Sequence, residues 1–137
     1  MINAIKRGGR KAFFTYLELV KIIIPVYIVV TFLKYTGVIN YLAGFFSPLM
    51  RIVGLPGEAV LALLTGYLLN IYGAIAVIVG LDLGLKEVTI LGAMLGLAHS
   101  LIIEGAVMKK MRVKVVPLTI LRLAASLFAG VLLNLIL

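Results

Sequence analysis

The chain has 137 residues, 64% of them hydrophobic and 13% charged, with a mean hydropathy of +1.23. A soluble domain holds about 45 to 50% apolar and about 25% charged residues, so a water-soluble fold is excluded and lipid must solvate most of these side chains. The 13 Lys and Arg against 5 Asp and Glu give a net charge of +8, but the cations are not arranged for nucleic acid. They gather in Lys6, Arg7, Arg10, Lys11 and in Lys109, Lys110, Arg112, Lys114, each group beside an apolar run, as in loops facing anionic cytoplasmic lipid. No basic face carries the aromatics on which bases stack. With no Cys in the chain, disulfides and thiolate metal sites are excluded.

The sequence specifies an all-α integral membrane protein: three transmembrane helices, an interfacial helix and a re-entrant helical hairpin. A hydrocarbon core ~30 Å thick needs about 20 helical residues to cross. In chain order, residues 12–33 fit one crossing. That run is longer than a secretory core, and no small-residue cleavage site follows it, so it is expected to stay as an anchor. Residues 38–50 are apolar but short, include Ser47-Pro48 and precede Arg51, which suits a helix lying in the interface. Residues 59–81 are uncharged, yet Leu55-Pro56-Gly57 opens them and Gly66, Asn70 and Gly73 interrupt their middle; they read as two short helices around a break. Residues 88–108 and 115–137 each fit a single crossing.

The charge bias tests the hairpin independently. If residues 59–81 crossed once, the two basic clusters would face opposite sides. A hairpin puts both on one side, against Lys34, Arg51 and Lys86 on the other, with Lys21 and Arg122 inside spans. The amino terminus is then cytoplasmic, in a multi-pass protein of the cytoplasmic membrane. Broken backbone at membrane depth survives only where protein or a watery cavity covers it, so the hairpin tip between Gly66 and Gly73 is expected at one or the other.

Small and polar residues form three stripes of period four: Glu58, Ala62, Gly66, Asn70; Gly92, Gly96, Ser100, Glu104; and Arg122, Ser126, Gly130, Asn134. Such faces pack helices closely in lipid. Charges inside spans cost at least ~2.5 to 3.5 kcal/mol on insertion scales and face partners or aqueous paths. Glu18 and Lys21, three apart, are placed to pair on the first span, and Glu104 and Arg122 lie at matching depths on consecutive antiparallel spans. Both pairs read equally as structural ion bridges. His99 and Glu104 have the chemistry of a proton relay or a divalent-cation site, but at five residues' separation they diverge by about 140° on a helix and need another span to meet. His99 also reads as a ring satisfying a backbone carbonyl. The metal, if any, stays open and no cofactor is implied. No HExxH, GxxxxGK[ST], GxSxG or paired-carboxylate pattern is present, which argues against an enzyme.

Gly54-Leu55-Pro56-Gly57-Glu58-Ala59, the interrupted run through Thr65-Gly66 and Asn70, and Ala98-His99-Ser100-Leu101-Ile102-Ile103-Glu104 followed by Arg122 resemble the nucleoside recognition (Gate) domain family. That family includes spore maturation proteins A and B, the gate regions of ferrous iron transporter protein B, and the repeat of concentrative nucleoside transporters. The resemblance implies a single membrane domain over residues 1–137, with residues 1–37 a basic segment and leading span and residues 38–137 the Gate-like repeat. Where the nucleoside transporters carry a polar Gly-Gln-Ser/Thr-Glu run, this chain has Gly66-Tyr67-Leu68-Leu69-Asn70, which offers a nucleoside few polar partners.

The resemblance also implies a site between two repeats, so one copy must pair with another or with a homologous membrane partner. An in-plane axis requires opposite orientations, whereas the charge bias gives every copy one orientation; a partner of opposite topology and parallel pairing both remain open. The expected function is transport or gating of a small polar solute or ion. Gly66, Asn70, Ser100 and Glu104 would meet the solute, and Glu58, His99, Arg122, Glu18 and Lys21 would supply coupling or structural charge. A non-transporting assembly subunit is the alternative.

Overall fold

The computed structural model describes residues 2–137, apart from the side chains of Ile2, Asn3 and Lys34; Lys34, one of the three cations assigned to the far side, therefore lies outside the described side chains. The chain is helical throughout: α1 (Ile2–Tyr35), α2 (Val38–Ile52), a 3-10 turn (Gly57–Ala59), α3 (Val60–Leu68), α4 (Ile71–Gly80), α5 (Leu85–Leu97), α6 (Leu101–Lys110) and α7 (Val115–Ile136). Among the described residues, three helical stretches are long and apolar enough to cross a membrane, namely Ala4–Leu33, Leu85–Lys110 and Val115–Ile136.

The 59–81 run is broken as its glycines and Asn70 suggest. Leu69 and Asn70 leave helical geometry, and the two flanking helices fold against each other: a Cβ on Gly66 would crowd Ala74, and one on Gly73 would crowd Thr65. At 1.5 Å per residue, α3 and α4 are each about 15 Å long, roughly half a hydrocarbon core.

Before the hairpin, α2 runs on through Pro48 to Ile52, two residues beyond the expected end. It then meets the 3-10 turn and α3 at 93°. Two glycines make that corner possible. Gly54 adopts φ +72°, open to glycine at little cost, and has no room for a Cβ beside Asn134; Gly57 lies directly on the backbone carbonyl of Ala43.

The second break corrects the sequence reading. Residues 88–108 are not one unbroken helix: Ala98 is extended and Ser100 takes the left-handed conformation (φ 50°, ψ 36°), separating α5 from α6. Non-glycine residues rarely sit there.

Around these breaks α1 packs on α4, α3 on α4 and α5 on α7. The core gathers Val30 of α1, Ile39 and Met50 of α2, Ala62 and Leu63 of α3, and Ile90, Leu91, Met94 and Leu95 of α5. Val30 meets Gly80 near the carboxyl ends of α1 and α4, and Lys86 Nζ donates to the Asn134 carbonyl at 3.3 Å, joining the start of α5 to the end of α7. These contacts bring the ends of α1, α4 and α7 and the start of α5 to one end of the bundle. Lys6 to Lys11 at the start of α1 and Lys109 to Lys114 around the turn between α6 and α7 lie at the far ends of those helices.

Candidate functional site

The polar residues converge where the two breaks meet. The Ser100 amide donates to the Gly66 carbonyl at 2.8 Å, tying the α5–α6 break to the last turn of α3. Gly66 is buried and a side chain there would strike Leu95, so the last turn of α3 rests on protein, whereas Leu68 and Leu69 at the tip itself are exposed.

A helix ends with carbonyls that have no intrahelical partner. For α5, side chains supply most of what the backbone lacks. His99 Nδ1 lies 3.0 Å from the Leu95 carbonyl, Arg122 Nε donates to the Leu97 carbonyl at 3.0 Å, and Ser126 Oγ adds a second donor, at 2.8 Å, to the Met94 carbonyl that the Ala98 amide already meets. Arg122 and Ser126 are one turn apart on α7, so a single face of that helix caps the break. Tyr67 OH lies 2.6 Å from Ser126 Oγ and brings the hairpin into the same network.

Glu104 balances the charge. It ion-pairs with Arg122, and its other carboxylate oxygen stands 3.7 Å from His99 Nε2. The 140° divergence of His99 and Glu104 on a regular helix does not apply, because the chain turns between them at Ser100. The three side chains stay 24 to 35% exposed. A carboxylate–guanidinium pair beside an imidazole within a membrane span faces either an aqueous path or a partner.

The remaining expected residues lie elsewhere. Asn70 is the N-cap of α4, its side-chain oxygen accepting the Gly73 amide at 2.8 Å. Glu58 sits half-buried in the 3-10 turn at the amino end of α3, where a carboxylate suits the positive end of the helix dipole. Glu18 and Lys21 are both exposed on α1 and, among the described residues, no ion pair joins them; the expected intrahelical bridge is absent.

Of the three small-residue stripes, that of α7 is packed, with Ser126 and Gly130 buried. On α5, Gly92 and Gly96 are exposed with nothing near them, so that part of the expected packing face has no neighbour in this chain. Two clefts lie away from the polar group. One of about 290 Å³ runs between α1 and the hairpin, lined by Val26, Val30, Leu61, Thr65, Leu69 and Val77; another, of about 390 Å³, is lined by Tyr27, Thr31, Tyr35, Val79, Gly80 and Asp82. Among the described residues, no three His, Asp or Glu side chains are grouped to hold a metal ion.

Two residues of the network escaped the sequence reading as partners, Tyr67 and Ser126. Ser126 stood out only as one member of a stripe. A tyrosine hydroxyl inside an apolar run is itself a signal that a partner is near.

The Gate family model, described as nucleoside recognition, matches residues 16–135, from within α1 to the last turn of α7. The chain is a member of the Gate family. A Gate chain of this kind is similar to the uncharacterized membrane protein YvoD of Bacillus subtilis (strain 168), 40% identical over 129 residues, which are 94% of this chain and 41% of that protein. It thus spans less than half the length of the relative. No solved structure matches it. With three apolar spans and a membrane-protein relative, this Gate protein is an integral, multi-pass membrane protein.

Proposed function

We propose that this protein is a transport-type membrane protein in which the junction of the two breaks is the solute or ion gate. The Ser100 amide to Gly66 carbonyl bond is the observation that carries this reading, because discontinuous helices meeting inside the membrane are how transporters present helix ends and free backbone groups to a substrate. The hairpin is re-entrant, entering from and returning to the face opposite the basic clusters, which are cytoplasmic. The amino end of α6 opens at Ser100 and contributes partial positive charge. Glu104, held by Arg122 and His99, is the titratable or cation-coupling group, and Asn70 and Ser100 are the polar contacts for solute. The solute is small and polar; a nucleoside fits the description of the family but finds few hydrogen-bonding side chains at this tip. The gate is completed by a second copy or a homologous partner, since the polar group stays partly exposed in the lone chain.

In this chain without Cys, the changes Ser100→Cys and His99→Cys are expected to react with a membrane-impermeant maleimide in intact vesicles, and Glu104→Gln to alter how pH changes that reaction. Complete protection of both thiols would mean a dry junction and would favour the assembly-subunit alternative.

A further inference from the structure

The first helix carries a feature that the gate does not use. Within its apolar stretch Ala4–Leu33, only 6% of the most apolar window is buried in the molecule. The buried side is defined by Val30, which packs on Gly80. At about 100° per residue, Lys21 lies about 180° from Val30, at the centre of the face turned away from everything else. Phe14, Ile28 and Phe32 fall within about 20° of Lys21 and Glu18 within about 60°, and all are exposed. Phe14, Lys21, Ile28 and Tyr35 recur every seven residues, with Lys11, Glu18 and Phe32 in the register between, while Pro25, at the remaining place in that register, borders the cleft towards the hairpin. Such a spacing is that of a left-handed helix-pair seam.

Two charges are aimed outward on this face. Taking Lys11 as the boundary, Glu18 stands about 10 Å and Lys21 about 15 Å into the apolar region, too deep to be left against lipid tails without a partner. We propose that α1 is the seam of a parallel dimer of this chain, in which Glu18 of each copy ion-pairs with Lys21 of the partner subunit. The face is self-complementary: about a twofold axis along the membrane normal, a carboxylate on each helix meets an ammonium one turn further along the other, and the contact occurs twice. The shared orientation follows from the basic clusters, which lie at one end of every copy. The interface uses no residue of the polar junction, so it stands or falls separately from the gate.

The experiment is thiol cross-linking of the full chain in its membrane. Oxidation of the Phe14→Cys variant is expected to give an adduct of twice the chain mass, while Val30→Cys, on the opposite face, gives none. In reconstituted vesicles diluted with lipid, Glu18→Lys is expected to weaken self-association about tenfold, and the exchange Glu18→Lys with Lys21→Glu to restore it. Three outcomes overturn the proposal: no Phe14→Cys adduct, an adduct of any other mass, or cross-linking of Phe14→Cys to Pro25→Cys in preference to itself, which would mean antiparallel helices. Equal association of the single and exchanged variants would remove the two charges from the seam. Maleimide protection at Ser100→Cys and His99→Cys alongside a robust dimer would sink the gate alone.

Discussion

The two interruptions solve one problem in opposite ways. At Leu69 and Asn70 the amide side is repaired locally, the Asn70 side chain folding back on the Gly73 amide three residues ahead as an ordinary N-cap, and only the Gly66 carbonyl is met from a distance, by the Ser100 amide. At Ala98 to Ser100 the repair is remote, because the carbonyls of α5 are met by Arg122 and Ser126 from another helix and the Ser100 amide by the hairpin. A locally capped break folds with its own hairpin. A remotely capped one requires the bundle to be assembled, and its strength depends on how three elements sit together.

The contrast yields graded tests in detergent or bicelles, read as unfolding free energy. Arg122→Ala should have the largest effect, about 3 kcal/mol, since it strands the Glu104 carboxylate as well as the Leu97 carbonyl; Arg122→Lys should recover only part, lacking the forked geometry that serves both. A loss below about 1 kcal/mol would mean that water or lipid headgroups already cap the break. Ser126→Ala should cost about 1 kcal/mol by leaving the Tyr67 hydroxyl without its partner and the Met94 carbonyl with the Ala98 amide alone, and Tyr67→Phe made on that background should cost little more, because the two hydroxyls act as one unit. Asn70→Ala should cost about 1 kcal/mol, with Asn70→Ser or Asn70→Asp nearly neutral. Amide exchange after Asn70→Ala should quicken in α4 and leave α6 unchanged, whereas Arg122→Ala should quicken α6, α7 and the hairpin tip together.

The same contrast explains what could be read from residues in a row. Leu55-Pro56-Gly57, Gly66, Asn70 and Gly73 are turn and cap residues, so the corner and the hairpin announced themselves. Ala98-His99-Ser100 contains neither Gly nor Pro. Its signal was side-chain chemistry: two adjacent polar side chains, His99 and Ser100, in an apolar run. The Glu104–Arg122 pairing was accessible from depth alone, as both residues sit near the ends of spans joined by a short loop. The approach of His99 to Glu104 was not, because a regular helix forbids it and only the turn at Ser100 permits it. On α5 and α7 equal spacing led to unequal fates: Gly130 lies under Met94 and Val53, while a side chain at Gly92 or Gly96 would meet open space among the described residues. Period four identifies a face suited to close approach, and only the rest of the fold determines whether a helix arrives.

The bond between Ser100 and Gly66 is made entirely of main-chain atoms. Replacing the hydroxymethyl of Ser100 would leave it standing, and only proline, which lacks the N–H, or a one-residue insertion that rotates the strand of chain out of line would undo it. The joint between the two interrupted segments is therefore robust to drift in side-chain identity and brittle to changes of length, and an indel within residues 98–100 should be far less tolerated than an exchange of residue type there other than Ser100→Pro.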